Sequence, residues 1–178
     1  PTGIGVLNAK HNDGLTVGSV KITNLTVQNA TSYALENDCG VMEIDGGSLS
    51  NCNRNLQAVG GTTTLKGNLQ LGATTGTNAY SIKVGAATVN LNNVDISEAA
   101  SYGLIVEDAK AKVDLQDVTI SVDAGACGIY RKKGVVTGNN VTVTQGKAAI
   151  YSKEANTDAN GPEISITNFK ASGCTNNI

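Results

Sequence analysis

Apolar and polar residues alternate in short runs that recur along the whole chain. In Thr88-Val89-Asn90-Leu91-Asn92-Asn93-Val94-Asp95-Ile96-Ser97 the apolar positions are Val89, Leu91, Val94 and Ile96. Each half has the two-residue period of a half-buried strand. Between Leu91 and Val94 the parity breaks, so the chain must turn a corner there. With Val94 as reference, the equivalent positions are Leu25, Gly47, Leu69, Val118, Val141 and Phe169. Two residues further on lie Val27, Leu49, Leu71, Ile96, Ile120, Val143 and Ala171, all apolar. Between them lie Thr26, Ser48, Gln70, Asp95, Thr119, Thr142 and Lys170, all polar. The reference recurs at intervals of about 22 to 28 residues, the self-similarity of a stacked-repeat architecture.

A second strand precedes the corner. Its inward positions read Val20, Met42, Thr64, Val89, Val113, Val136 and Ile164, then Ile22, Ile44, Lys66, Leu91, Leu115, Gly138 and Ile166. Lys66 and Gly138 break the apolar rule. The corner itself carries Asn24, Gly46, Asn68, Asn93, Asp117, Asn140 and Asn168. Asn, Asp and Gly tolerate the left-handed backbone of a tight corner. The amides are read as a structural ladder on the inner side, bonding from coil to coil. A third strand places Val6, Leu35, Val59, Ile82, Leu104, Ile129 and Ile150 inward, usually after a small residue such as Ala34, Gly103 or Gly128. The predicted unit is three short strands per turn of about 23 residues, too small to bury its own face, so neighbours must stack. The expectation is an all-β solenoid of about seven coils, one domain over residues 1–178 and a segment of a longer column. A leucine-rich repeat has a similar period, but its L-x-x-L-x-L pattern and helix signals are missing.

Composition agrees with a core of stacked aliphatic side chains. The 178 residues are 40% hydrophobic but 3% aromatic, with 21 Gly and two Pro. A net charge of −2 without a basic stripe argues against nucleic-acid binding. No apolar run approaches the ~20 residues of a membrane-spanning helix. Four cysteines at 39, 52, 127 and 174 lack C-x-x-C spacing, which argues against zinc. They read as free core or corner residues, with a Cys39–Cys52 disulfide as the alternative.

The ladder of Asn24, Asn68, Asn93, Asn140 and Asn168, with the three apolar columns, resembles the right-handed parallel β-helix of the pectin-lyase-like superfamily. The chain is most similar to an autotransporter passenger or adhesin segment. That resemblance implies right-handed coiling and a bacterial, secreted or cell-surface protein. It implies a non-catalytic stalk whose partners are a host-surface glycan or protein, or a neighbouring β-helix chain. The same superfamily contains polysaccharide lyases and phage tail-spikes, which supply the alternative functions. Polysaccharide lyases use an acidic cluster with Arg or Lys as base, and Asp108, Arg131, Lys132 and Lys133 are the nearest match in residue type. The paired aspartates and the Gly-His-Gly and Arg-Ile-Lys segments of polygalacturonases are missing.

Candidate binding residues follow from where the repeat varies. Past the inward residue of the third strand, Glu107, Lys132 and Lys153 share a column, and Asp108, Lys133 and Glu154 share the next. Tyr130 and Tyr151 stack one position past the inward residue. Tyr130, Arg131, Lys132, Lys133, Tyr151 and Lys153 are therefore expected to contact a sugar or an acidic polysaccharide. No catalytic residue and no cofactor is expected. Asn156, Asp158 and Asn160 partly match a calcium loop, but the twelfth position is Thr167 where a bidentate Glu is needed. His11, in Lys10-His11-Asn12-Asp13-Gly14, reads as an exposed loop residue. Asn24, Asn29 and Asn140 begin N-x-T glycosylation triplets, and inward placement of Asn24 and Asn140 would exclude a glycan.

Overall fold

Short and long strands alternate along the chain, one pair to a turn. The short ones are β1 (Val6–Asn8), β3 (Tyr33–Asn37), β5 (Arg54–Ala58), β7 (Tyr80–Val84), β9 (Tyr102–Val106), β11 (Cys127–Arg131) and β13 (Ala148–Ser152). The long ones are β2 (Ser19–Gln28), β4 (Val41–Ser50), β6 (Thr62–Leu71), β8 (Thr88–Ala99), β10 (Lys112–Val122) and β12 (Val135–Thr144). β14 (Ile164–Thr167) and β15 (Lys170–Ser172) complete the last turn. The computed structural model describes residues 3–10, 18–76, 79–153 and 163–176. Among these residues every strand pairing is parallel, and the strands form a seven-stranded and an eight-stranded sheet. The architecture is a parallel β-solenoid of about six turns, without helix among the described residues, at about 23 residues per turn.

The two strands predicted on either side of the corner are one strand in each of the first six turns. Asn24, Asn68, Asn93, Asp117, Asn140 and Asn168 have φ between 53° and 60°, so the chain bends at one residue while pairing continues around it. In the last turn Asn168 and Phe169 separate β14 from β15. The ladder side chains are exposed, which corrects the inward placement. A left-handed residue between two inward ones swings its own Cβ outward. Asn140 still donates to Asp117 at 2.7 Å, and Asn168 to Asn139 at 2.9 Å. Exposure of Asn24 and Asn140 also removes the steric reason for excluding a glycan there.

Two register expectations change. Thr63 and Leu65 pair with Val89 and Leu91 and are buried, not Thr64 and Lys66. An extra residue at Gly67 (φ 74°) forms a bulge before Leu69, so counting back from Leu69 runs one residue out of step. Likewise Leu56, not Val59, pairs with Leu35 and Ile82, and Val59 is exposed. The turn before β5 is shorter than its neighbours, and that length difference moves the strand along the sequence.

The core is a column of Leu, Ile and Val from both sheets, including Leu35, Ile44, Leu56, Leu71, Ile82, Leu91, Ile96, Leu104, Ile120 and Ile129. At the first turns the interior also holds amides. Asn8 Nδ2 donates to Asn37 Oδ1 at 2.9 Å, Asn37 Nδ2 to Thr63 Oγ1 at 3.0 Å, and Asn55 Nδ2 to Ser81 Oγ at 2.9 Å. This is the inner amide ladder, built from residues that the repeat pattern did not single out. Each amide is buried and its donor is bonded, as a dry interior requires.

Candidate functional site: the tyrosine face of the short-strand sheet

The short strands depart from simple alternation. Ala34-Leu35, Asn55-Leu56, Ser81-Ile82, Gly103-Leu104, Gly128-Ile129 and Ala149-Ile150 turn two successive residues toward the core. The first of each pair is small except Asn55, whose amide bonds to Ser81 of the next turn. A Cβ on Gly128 would lie 2.4 Å from Val143 Cγ1, and one on Gly103 would lie 2.4 Å from Ile120 Cγ2. The consequence is two outward rows flanking the pair. One contains Tyr33, Arg54, Tyr80, Tyr102, Cys127 and Ala148. The other runs Leu7, Glu36, Gln57, Lys83, Ile105, Tyr130 and Tyr151. All five tyrosines of the chain therefore lie on this one face.

Their rings touch. Tyr102 and Tyr130 stack at 5.1 Å with 19° between planes, and Tyr130 meets Tyr151 at 5.4 Å and 36°. Such offset pairs add about 0.5–1.5 kcal/mol each beyond area burial. Nearer the first turns, the Arg54 guanidinium lies between two rings, 5.6 Å from Tyr33 and 5.1 Å from Tyr80. Tyr80 donates to Gln57 Oε1 at 2.6 Å. Burial, followed by the hydrogen bond and negative potential of Tyr33, holds the Tyr80 phenol well above its ordinary range, so it remains protonated.

A charge bridge borders the rings. Glu107 takes Lys83 at 2.7 Å on one carboxylate oxygen and Lys132 at 2.6 Å on the other. Partial burial works to raise the Glu107 pKa, but the hydrogen bonds from Lys132 and Lys83 outweigh it and the net shift is downward. The hydrogen bond to Glu107 raises Lys132 against a smaller opposing effect of desolvation. Lys83 lies 5.8 Å from the Tyr80 ring and Lys132 5.8 Å from the Tyr130 ring, within cation–π range.

Beside the ring stack runs an open groove of about 750 Å³. Tyr102, Tyr130 and Tyr151 form one wall. Its floor is small residues, Ala100, Gly125, Ala126 and Ala148, and Lys147 stands at the rim. Lys147 is exposed and forms no ion pair among the described residues. Cys127 also lines the groove, but burial pushes its thiol up to about 11, so it stays a neutral thiol.

The structure places the predicted site residues unequally. Tyr130, Tyr151 and Lys132 are together on the outer face, with Lys153 exposed one rung beyond Lys132. Lys133 is exposed past the end of the strand. Arg131 is corrected: its side chain is fully buried and points inward. Its Nε donates to Gly134 O at 2.8 Å, and its Nη1 to Ser152 Oγ at 3.0 Å and to Glu163 at 2.8 Å. It follows Tyr130 and precedes Lys132, so alternation alone sends it into the core. Tyr33, Tyr80, Tyr102, Arg54 and Lys147 were missed. The first three each stand two residues before an inward position, a regularity that would have joined them to the site. Asn156, Asp158, Asn160 and His11 lie outside the described residues. The four cysteines are free thiols, with Cys39, Cys52 and Cys127 buried.

Family models, curated proteins and solved structures give no match to this chain.

Proposed function

We propose that this chain is a non-catalytic binding module: a rigid solenoid column, of the kind found in surface-exposed or secreted bacterial adhesins and autotransporter passengers, that holds an acidic glycan along its tyrosine face. The observation that carries this reading is the gathering of all five tyrosines on one sheet face, beside Lys132, Lys147 and Lys153. A glycan offers apolar C–H patches, hydroxyls and, where acidic, carboxylates. Ring edges and phenol hydroxyls can meet the first two, and the lysines meet the third. The exposed outer face of Tyr151 suits a sugar ring at the end of the stack.

A uronate-bearing polymer should bind more tightly than a neutral polymer of the same backbone, and added salt should weaken it. Calorimetry with polygalacturonate and with a neutral galactan tests this. Tyr151→Ala and Lys147→Ala should each weaken binding about tenfold while leaving circular dichroism unchanged, a loss of about 1.4 kcal/mol. Equal binding of both polymers, or unchanged binding by both variants, would overturn the reading. The lyase alternative is tested in the same cuvette. Arg131 is turned into the core and Arg54 is held between the Tyr33 and Tyr80 rings, away from Tyr151, and an absorbance rise from a new uronate double bond would restore that alternative.

A further inference from the structure

We propose that Arg54 is a second carboxylate subsite of the tyrosine face, so that the ligand is an extended uronan lying along the column from β13 to β5. This subsite rests on the glycan reading and sets the course and the minimum length of the polymer. The chain's two arginines are held in opposite ways. Arg131 is fully buried, and Gly134, Ser152 and Glu163 accept its hydrogen bonds. Arg54 makes no hydrogen bond and no ion pair among the described residues. Rings hold it instead: its Cζ lies over Tyr33 at 5.6 Å and over Tyr80 at 5.1 Å, one rung to either side. The rings cover both faces of the guanidinium and its Nε is buried, so the Nη pair is the edge left for a partner. A carboxylate matches such a planar fork with two parallel hydrogen bonds, and a fork already oriented loses little freedom on pairing.

Arg54 also lies on the line of the groove. Arg54, Tyr80, Tyr102, Cys127 and Ala148 form one row of the sheet, and the groove follows that row past Ala148, Cys127 and Tyr102. Arg54 is on the third of seven rungs, and Tyr151 is on the seventh. Four rung intervals of about 4.8 Å separate them by about 19 Å. Tyr80, between Arg54 and Tyr102, is 8% exposed and does not block the way. Beside this path Lys83 and Lys132 share Glu107, which leaves a positive surplus for an acidic polymer. Glu36 stands one rung beyond Arg54, past the end of the polymer.

Calorimetry with a galacturonate dimer and a galacturonate hexamer tests the second subsite, because the dimer is too short to reach from Tyr151 to Arg54. The native chain should bind the hexamer at least about tenfold more tightly than the dimer, since both subsites then engage one molecule. Arg54→Gln should remove most of that advantage. Arg54→Lys should do the same although it keeps the charge, because lysine lacks the fork. Both variants should bind the dimer as the native chain does. A hexamer that binds no more tightly than the dimer would overturn the proposal, as would native hexamer affinity in Arg54→Gln. Equal loss for both lengths would place Arg54 in the stability of the face and overturn it as well. In each of these cases the native chain still binds uronate and the glycan reading stands; if the native chain binds neither length, that reading falls and the subsite with it.

Discussion

Replacing Asn93 separates two explanations of the corner. Asn93 has φ 56° and is exposed, and its side chain makes no hydrogen bond among the described residues. If the residue is required for its left-handed backbone, Asn93→Ala meets the left-handed penalty of about 1–2 kcal/mol, part of which Asn also carries. The expected loss is about 1 kcal/mol. Asn93→Gly removes the penalty but adds unfolded-chain entropy of about 0.5–1 kcal/mol, so the two nearly cancel. Alanine should therefore lower the midpoint by about 2–4 °C in a chain of this size, and glycine should leave it nearly unchanged. Thermal unfolding followed by circular dichroism measures both shifts, and an unchanged m-value in urea shows that the transition has kept its character. The central turn suits the test because its neighbours stack on both sides. Glycine as damaging as alanine would place the role in the side chain, and neutral alanine would remove the backbone argument altogether.

Gly128→Ala should destabilise by about 1–3 kcal/mol, because its Cβ would lie 2.4 Å from Val143 and 2.8 Å from the Ala149 carbonyl. Gly125→Ala, with nothing within 4 Å, should be neutral or slightly stabilising, and urea midpoints compare the two. Glu107 has a lowered pKa, so its contribution to stability is full above the ordinary value of 4.5 and is lost as pH falls through the lower folded value. Glu107→Gln should flatten that acid-side fall in urea midpoints measured from pH 7 to pH 3. A thiol reagent should label Cys174 first in the native protein, and Cys39, Cys52 and Cys127 should follow only on unfolding, as mass spectrometry of the labelled peptides would show.

Alternation with a repeated corner was enough to determine the solenoid. Side-chain parity is a local property, and Val89, Leu91, Val94 and Ile96 declare it without reference to any neighbour. The positive-φ corners were legible for the same reason, since Asn, Asp and Gly are what a left-handed residue permits. Where the count slipped, at Thr63 and Leu56, an inserted Gly67 and a short turn shifted the strand by an odd number of residues and so reversed its apparent parity. Only stacking of the coils could reveal those shifts.

The tyrosine face belongs to the tertiary structure. Tyr33, Tyr80 and Tyr102 stand before the inward pair, and Tyr130 and Tyr151 stand after it. In sequence these are different positions of the repeat. Small residues from Ala34 to Ala149 let two neighbours enter the core together, and that kink brings the two outward rows within ring contact. The same geometry took Arg131 out of the site, because a residue between two outward ones faces the interior whatever its charge. Periodicity assigns a residue to a face; which residues on that face touch depends on the kink and on parallel register, and both arise only when the coils pack.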